Sequence, residues 1–141
     1  MIIKKPNNNH IEIAIDFLDG TNELVKNGTI DRTFKSYISS FGGSIIQSGL
    51  MGTLMTFEAN KNKVKIINAL FEIYNRNFTE NKIEKPEVNS YFYKIIKSKS
   101  ETEKKEIRNK LVDMAVALKL AMRCFETQDN NSYNDENNGK Q

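Results

Sequence analysis

Proton transfer, nucleophilic attack and metal binding each need particular side chains, and this sequence supplies few of them. His10 is the only histidine and Cys124 the only cysteine, which leaves no zinc site of the usual kind and no histidine-paired nucleophile. His10 follows Asn7, Asn8 and Asn9, so it reads as a solvated residue at a helix start rather than a base. The carboxylates lie among polar residues, without the apolar clustering that tunes an acid–base pair, and read as solvated surface. Gly43 to Gly49 superficially looks like a phosphate loop, yet no Gly-Lys-Ser/Thr follows, so the lysine and the magnesium-binding hydroxyl are missing. Gly49-Leu50-Met51-Gly52 has the spacing of a single-strand-binding GxxG loop, but it falls inside a capped helical pattern without the strands of a KH module. No catalytic residue, metal site or cofactor is expected.

The basic residues offer a different chemistry. On the last helix, Lys104, Lys105, Arg108, Lys119 and Arg123 fall within an arc of about 100° beside the apolar stripe, where they would track a phosphate backbone or lay their stems over the edge of the core. Arg32 and Lys35 stand on an earlier helix, and Lys61, Lys63 and Lys65 cluster further on. Tyr91-Phe92-Tyr93-Lys94, with Lys97 and Lys99, mixes aromatic and basic groups as stacking platforms do. Tyr91 and Phe92 fit an apolar stripe and read as core, which leaves Tyr93 as the stacking candidate.

These residues must be positioned by helices. Ile11, Ala14, Ile15, Leu18 and Val25 recur at helical steps, predicting a helix from about Asn9, its cap, to Lys26, stopped by Asn27-Gly28. A second helix, about Asp31 to Phe41, carries Phe34, Tyr37, Ile38 and Phe41 and is broken by Gly42-Gly43. Ser44 and Gln47 form the capping-box pattern of a third, running to about Asn60. Its Ile46, Leu50, Leu54 and Phe57 share one face, with Ser48, Gly49, Gly52 and Thr56 opposite. Interior glycines cost about 1 kcal/mol each relative to alanine, so the small face implies close approach of something to the backbone.

A fourth helix is expected from about Lys63 to Phe78, and a fifth, opened by Pro86, over about Glu87 to Lys97. Ser100 with Glu103 caps the last helix, which continues to about Glu126 and is apolar almost all round between Leu111 and Met122, as a central helix is. Nothing alternates at period two for long enough to compete as a sheet. The predicted fold is all-α, a compact single-domain bundle of about six helices over residues 1–127. An acidic, Asn-rich tail over 128–141 has too little to bury and is expected to be disordered.

The 141 residues suffice for one core. The net charge of +3 is uneven: the tail holds three acidic residues and one basic, so the remainder carries +5, an excess that favours a polyanion partner. No apolar run reaches the roughly 18 to 20 residues of a membrane span, and Met1 to Pro6 lacks the pattern of a signal peptide, which predicts a cytoplasmic protein. A single cysteine forms no internal disulfide, and its apolar neighbours predict a packed thiol.

Phe34-Lys35-Ser36-Tyr37 followed by the run Gln47-Ser48-Gly49-Leu50-Met51-Gly52-Thr53-Leu54-Met55-Thr56-Phe57 resembles the small subunit of the Cmr complex, the type III-B CRISPR RNA-silencing effector. In that family a basic, Tyr-containing helix leads into a Gln-x-(Asn/Ser)-Gly-Leu element followed by a small residue, Thr-Leu and an apolar pair. A long last helix ends in a basic and aromatic cluster, which Leu118 to Phe125 resembles. Cys124 stands between Arg123 and Phe125, where the family usually sets phenylalanine directly after the arginine, and the tail has no counterpart.

The resemblance implies a non-catalytic subunit that stacks in the interior of a guide-RNA filament and binds target single-stranded RNA in antiviral defence. Its expected partners are the backbone nuclease subunit, the large polymerase-like subunit, copies of itself, guide RNA and target RNA. Arg32, Lys35, Lys119 and Arg123 would contact phosphate, and Gln47, Ser48 and Gly49 would admit the strand or a neighbouring subunit. The alternative class is a helical adaptor that docks proteins without touching nucleic acid.

Overall fold

A computed structural model describes residues 7–129. The first six residues, and with them part of the expected domain, lie outside the described residues, as does the expected disordered tail from residue 130 onward.

Helix α1 (Asn8–Asp19) is capped two residues earlier than expected, by Asn7, whose side chain accepts the N–H groups of Asn9 and His10. It also stops early, at Gly20. Asn22 explains why: its amide donates to the carbonyls of Phe17, Leu18 and Gly20, and its oxygen accepts the N–H groups of Leu24 and Val25. One side chain thus satisfies the helix end and turns the chain.

Residues 25–31 form a hairpin where a helix end and a short loop were expected. Strands β1 (Val25–Lys26) and β2 (Thr29–Asp31) pair antiparallel, and between them Asn27 and Gly28 take φ of 54° and 75°. Two central residues of positive φ make the tight turn whose twist matches paired strands. A third strand, β3 (Glu126–Gln128), adds parallel to β2, with Ile30 opposite Thr127, so the sheet order is β1-β2-β3. The all-α expectation is corrected accordingly: the fold is mostly helical, with a three-stranded sheet.

Asp31 caps α2 (Arg32–Glu58), accepting the Thr33 N–H at 2.7 Å. This helix passes through Gly42-Gly43 unbroken, so two expected helices are one. The expected Ser44–Gln47 capping box does not form. The interruption comes instead at Gly49, with φ 71° and ψ 178°, a conformation essentially confined to glycine. Ser44 spends its hydroxyl across this kink, on the buried Thr53 hydroxyl at 2.9 Å. The kink also breaks the expected stripe, for Leu50, Leu54 and Phe57 are buried while Ile46 is 81% exposed.

Helix α3 (Lys63–Asn77) follows a turn in which Asn60 accepts the N–H groups of Asn62 and Lys63. Pro86 opens no helix: Asn89 has φ 68°, and α4 is only Phe92–Lys97. The buried Ile83 is fastened by the Asn75 amide, which bonds both its N–H and its carbonyl at 2.8 Å. Helix α5 (Glu101–Ala121) opens on the expected Ser100–Glu103 capping box and packs against α1, α2 and α3. It ends five residues early in a 3₁₀ turn (Met122–Cys124) leading into β3. Cys124 is exposed rather than packed. Five α-helices are thus present among the described residues, fewer than the six expected. Leu18, Phe41, Leu54, Ile66, Leu70, Phe71, Tyr74, Leu111, Met114 and Leu118 form one contiguous core.

Candidate nucleic-acid interface

The α2 N-terminus is where the fold gathers basic residues distant in sequence. Because β2 leads directly into α2 and pairs with β3, Arg32 and Lys35 stand beside the residues that follow α5. The Arg32 guanidinium lies 3.7 Å from the Asp129 carboxylate, with its side chain 65% exposed. Lys35 is more committed. Its ammonium donates to the Phe125 carbonyl at 3.3 Å and to the Thr127 hydroxyl, tying helix to strand.

The turn between α2 and α3 brings in two more lysines. Lys63 Nζ lies 5.4 Å from the Tyr37 ring centroid and 5.2 Å from that of Phe57, and Lys65 Nζ lies 5.8 Å from that of Phe34. Phe34 and Tyr37 meet edge to face and are only half-buried, with the lysines laid over them. Each such cation–ring contact is worth about 0.5–1 kcal/mol at an exposed site and holds the ammonium at the surface. A cleft of about 300 Å³ adjoins them, lined by Glu23, Lys26, Asp31, Phe34, Lys65 and Gln128. The periodicity of Phe34 and Tyr37 reads as core. What it does not reveal is that Lys63 and Lys65 cover them, since only the reversal at Asn60 to Asn62 brings α3 back over α2.

The other expected contacts lie elsewhere. Gln47, Ser48 and Gly49 are all exposed at the kink, and Gln47 is twelve residues beyond Lys35, about 18 Å along the helix. Lys119 and Arg123 are exposed, at the end of α5 and in the 3₁₀ turn, with Arg123 three residues before β3 begins. The basic arc on α5 is divided: Lys104 pairs with Glu101 at 3.3 Å, and Arg108 lines an apolar groove between α2 and α5. Gly42, Ile45, Ile46 and Val112 form most of that groove, of about 490 Å³. The candidate residues therefore fall in three places: a basic–aromatic cluster at α2–α3, a separate exposed kink, and a basic end to α5 near the sheet.

The one carboxylate buried among the described residues serves the fold. Glu58, at the end of α2, accepts the N–H groups of Phe92 and Tyr93 at 2.7 and 2.9 Å, and burial holds its carboxyl above the ordinary range. Among the described residues, no group of three or more His, Cys, Asp or Glu side chains is placed to hold a metal ion. No helix among them is long and apolar enough to cross a membrane. Comparison with protein-family models, with curated proteins and with solved structures returns no match.

Proposed function

We propose that this chain is a non-catalytic, RNA-contacting subunit of a guide-RNA effector of the type III-B CRISPR (Cmr) kind, stacking with copies of itself and binding target single-stranded RNA in the cytoplasm. In this reading, cutting falls to a backbone subunit. The observation that carries the RNA contact is the basic–aromatic cluster of Arg32, Phe34, Tyr37, Lys63 and Lys65. Ammonium groups propped over half-buried rings offer charge to a phosphate backbone without base preference, and each phosphate neutralised releases counterions.

Binding of an unstructured RNA, measured by anisotropy across a salt series, is expected to weaken linearly on a log–log scale, by about 0.7 in slope for each phosphate contacted. Lys63→Glu with Lys65→Glu is expected to weaken it for every sequence tested. Binding that ignores both salt and charge reversal, in the free chain and in the assembled complex, refutes the reading.

The apolar groove between α2 and α5 favours a second reading, a protein-docking adaptor, because Ile46, which lines it, stands 81% exposed. Partner capture that survives nuclease and high salt supports that alternative.

A further inference from the structure

Residues 88–99 hold Lys94, Lys97 and Lys99 and no acidic residue. Within this stretch the backbone is extended at Tyr91 (φ −134°, ψ 155°) and turns helical at Phe92. The three consecutive rings meet different fates. Phe92 is buried and stacked on Phe71, with centroids 3.9 Å apart and planes within 7°. Tyr93 is half-buried against the edge of the core. Tyr91 lies nearly parallel to Tyr93, with centroids 5.9 Å apart and an interplanar angle of 16°, and keeps 38% of its surface exposed.

The mounting is tied to the core. Glu58 holds the N–H groups of Phe92 and Tyr93, so the backbone under both rings is clamped from α2. A ring stacked on one face by a neighbour fixed to the core still has a π face to offer, and it loses little freedom when another ring stacks on it. Lys97 sits four residues beyond Tyr93 on α4, the spacing that puts side chains on one side of a helix, and Lys94 follows Tyr93 directly; both lysines are exposed.

We propose that Tyr91 and Tyr93 form a base-stacking platform for single-stranded nucleic acid, with Lys94 and Lys97 taking the adjoining phosphates. The platform rests on the RNA-contact reading above and adds base stacking at α4 to the phosphate contacts at α2–α3. A flat unsaturated ring with exposed cations beside it, in a stretch whose nearest carboxylate, Glu58, is buried and bonded to the backbone, suits a nucleobase on a polyanionic strand, and stacking of this kind tolerates any sequence.

The test compares a short oligouridine with an abasic ribose-phosphate strand of equal length. Wild type is expected to bind the oligouridine at least about fivefold more tightly, the lower end of what one stacked base contributes. Tyr91→Ala is expected to remove that preference and Tyr91→Phe to keep it. Because the chain has no tryptophan, its emission is that of tyrosine. Oligouridine should quench it, and the quenching should shrink in Tyr91→Phe although affinity is retained.

Lys94→Ala with Lys97→Ala should leave the base preference and lower the salt slope by about 0.7 for each phosphate these lysines neutralise. Oligouridine binding that depends on Lys63 and Lys65 but is indifferent to Tyr91→Ala overturns the platform and leaves the RNA reading standing. No binding of either strand overturns both. Loss of a nuclease-resistant protein partner in Tyr91→Ala, with RNA affinity unchanged, overturns the platform in favour of protein docking.

Discussion

The carboxylate of Glu58 accepts the backbone N–H of Phe92 at 2.7 Å across 34 residues of chain. Helix α4 has no side-chain cap of its own, so the end of α2 provides one, accepting the Tyr93 N–H as well. The same contact that seats α4 fixes the backbone of Tyr93, against which the Tyr91 ring lies.

Burial raises the Glu58 carboxyl above its ordinary value of 4.5, while the bonds from Phe92 and Tyr93 pull it down less strongly. Its contribution to stability is therefore fully present below about pH 4.5 and is lost as pH rises through the higher folded value. Glu103 runs the opposite way: its Ser100 bonds lower it, so its contribution is present above the ordinary value and lost as pH falls. Urea unfolding of wild type and Glu58→Gln isolates the first. The advantage of wild type over the variant should shrink as pH rises from 4.5, and Glu58→Ala should cost about 1–3 kcal/mol for each N–H left unpaired.

Glycines in α2 should respond to alanine in opposite senses. An added Cβ at Gly43 meets nothing within 4 Å, and the residue is helical, so Gly43→Ala should stabilise by about 0.5–1 kcal/mol. Gly49 also has open space, but its φ of 71° with ψ of 178° burdens any L side chain, so Gly49→Ala should destabilise by about 1–3 kcal/mol. Thermal unfolding of the two variants gives both signs.

Lys35 is more a strut than a free cation. Lys35→Ala removes its bonds to Phe125 and Thr127 and should let β3 fray, seen as faster amide exchange where β3 pairs with β2. Arg32→Ala, which removes only an exposed ion pair to Asp129, should change stability by less than about 1 kcal/mol. If the α2–α3 cluster binds RNA, Arg32→Ala weakens binding without that exchange signature.

What was legible in the sequence was whatever local chemistry decides. The Ser100–Glu103 box sits where its spacing puts it, and the helical stripes of α3 and α5 are where their apolar residues recur. What was not legible depended on contacts across the chain. Asn27-Gly28 suits a helix end and a hairpin turn equally. It became a turn because Asn22 had already closed α1 and β3 arrived from the far end to pair with β2. Gly42-Gly43 and Gly49 are alike as helix breakers, and their local sequence does not say that the kink falls at Gly49, between the buried Ile45 and Leu50. In the site, Arg32 and Lys35 were identifiable as basic residues, but the use of Lys35 as a tie required a strand about 90 residues away.

The Ser44–Thr53 bond should be energetically coupled to the kink it spans. Thr53 is fully buried, so Ser44→Ala strands a hydroxyl in the core and should cost about 1–3 kcal/mol, while Thr53→Val strands only the more accessible Ser44 and should cost less. Replacing both removes donor and acceptor together, so the double variant should be markedly more stable than the sum of the two single effects allows. A coupling of about 0.5–3 kcal/mol in a double-mutant cycle is the expected sign of direct contact. Additive effects would mean that the two halves of α2 are held at Gly49 by packing alone.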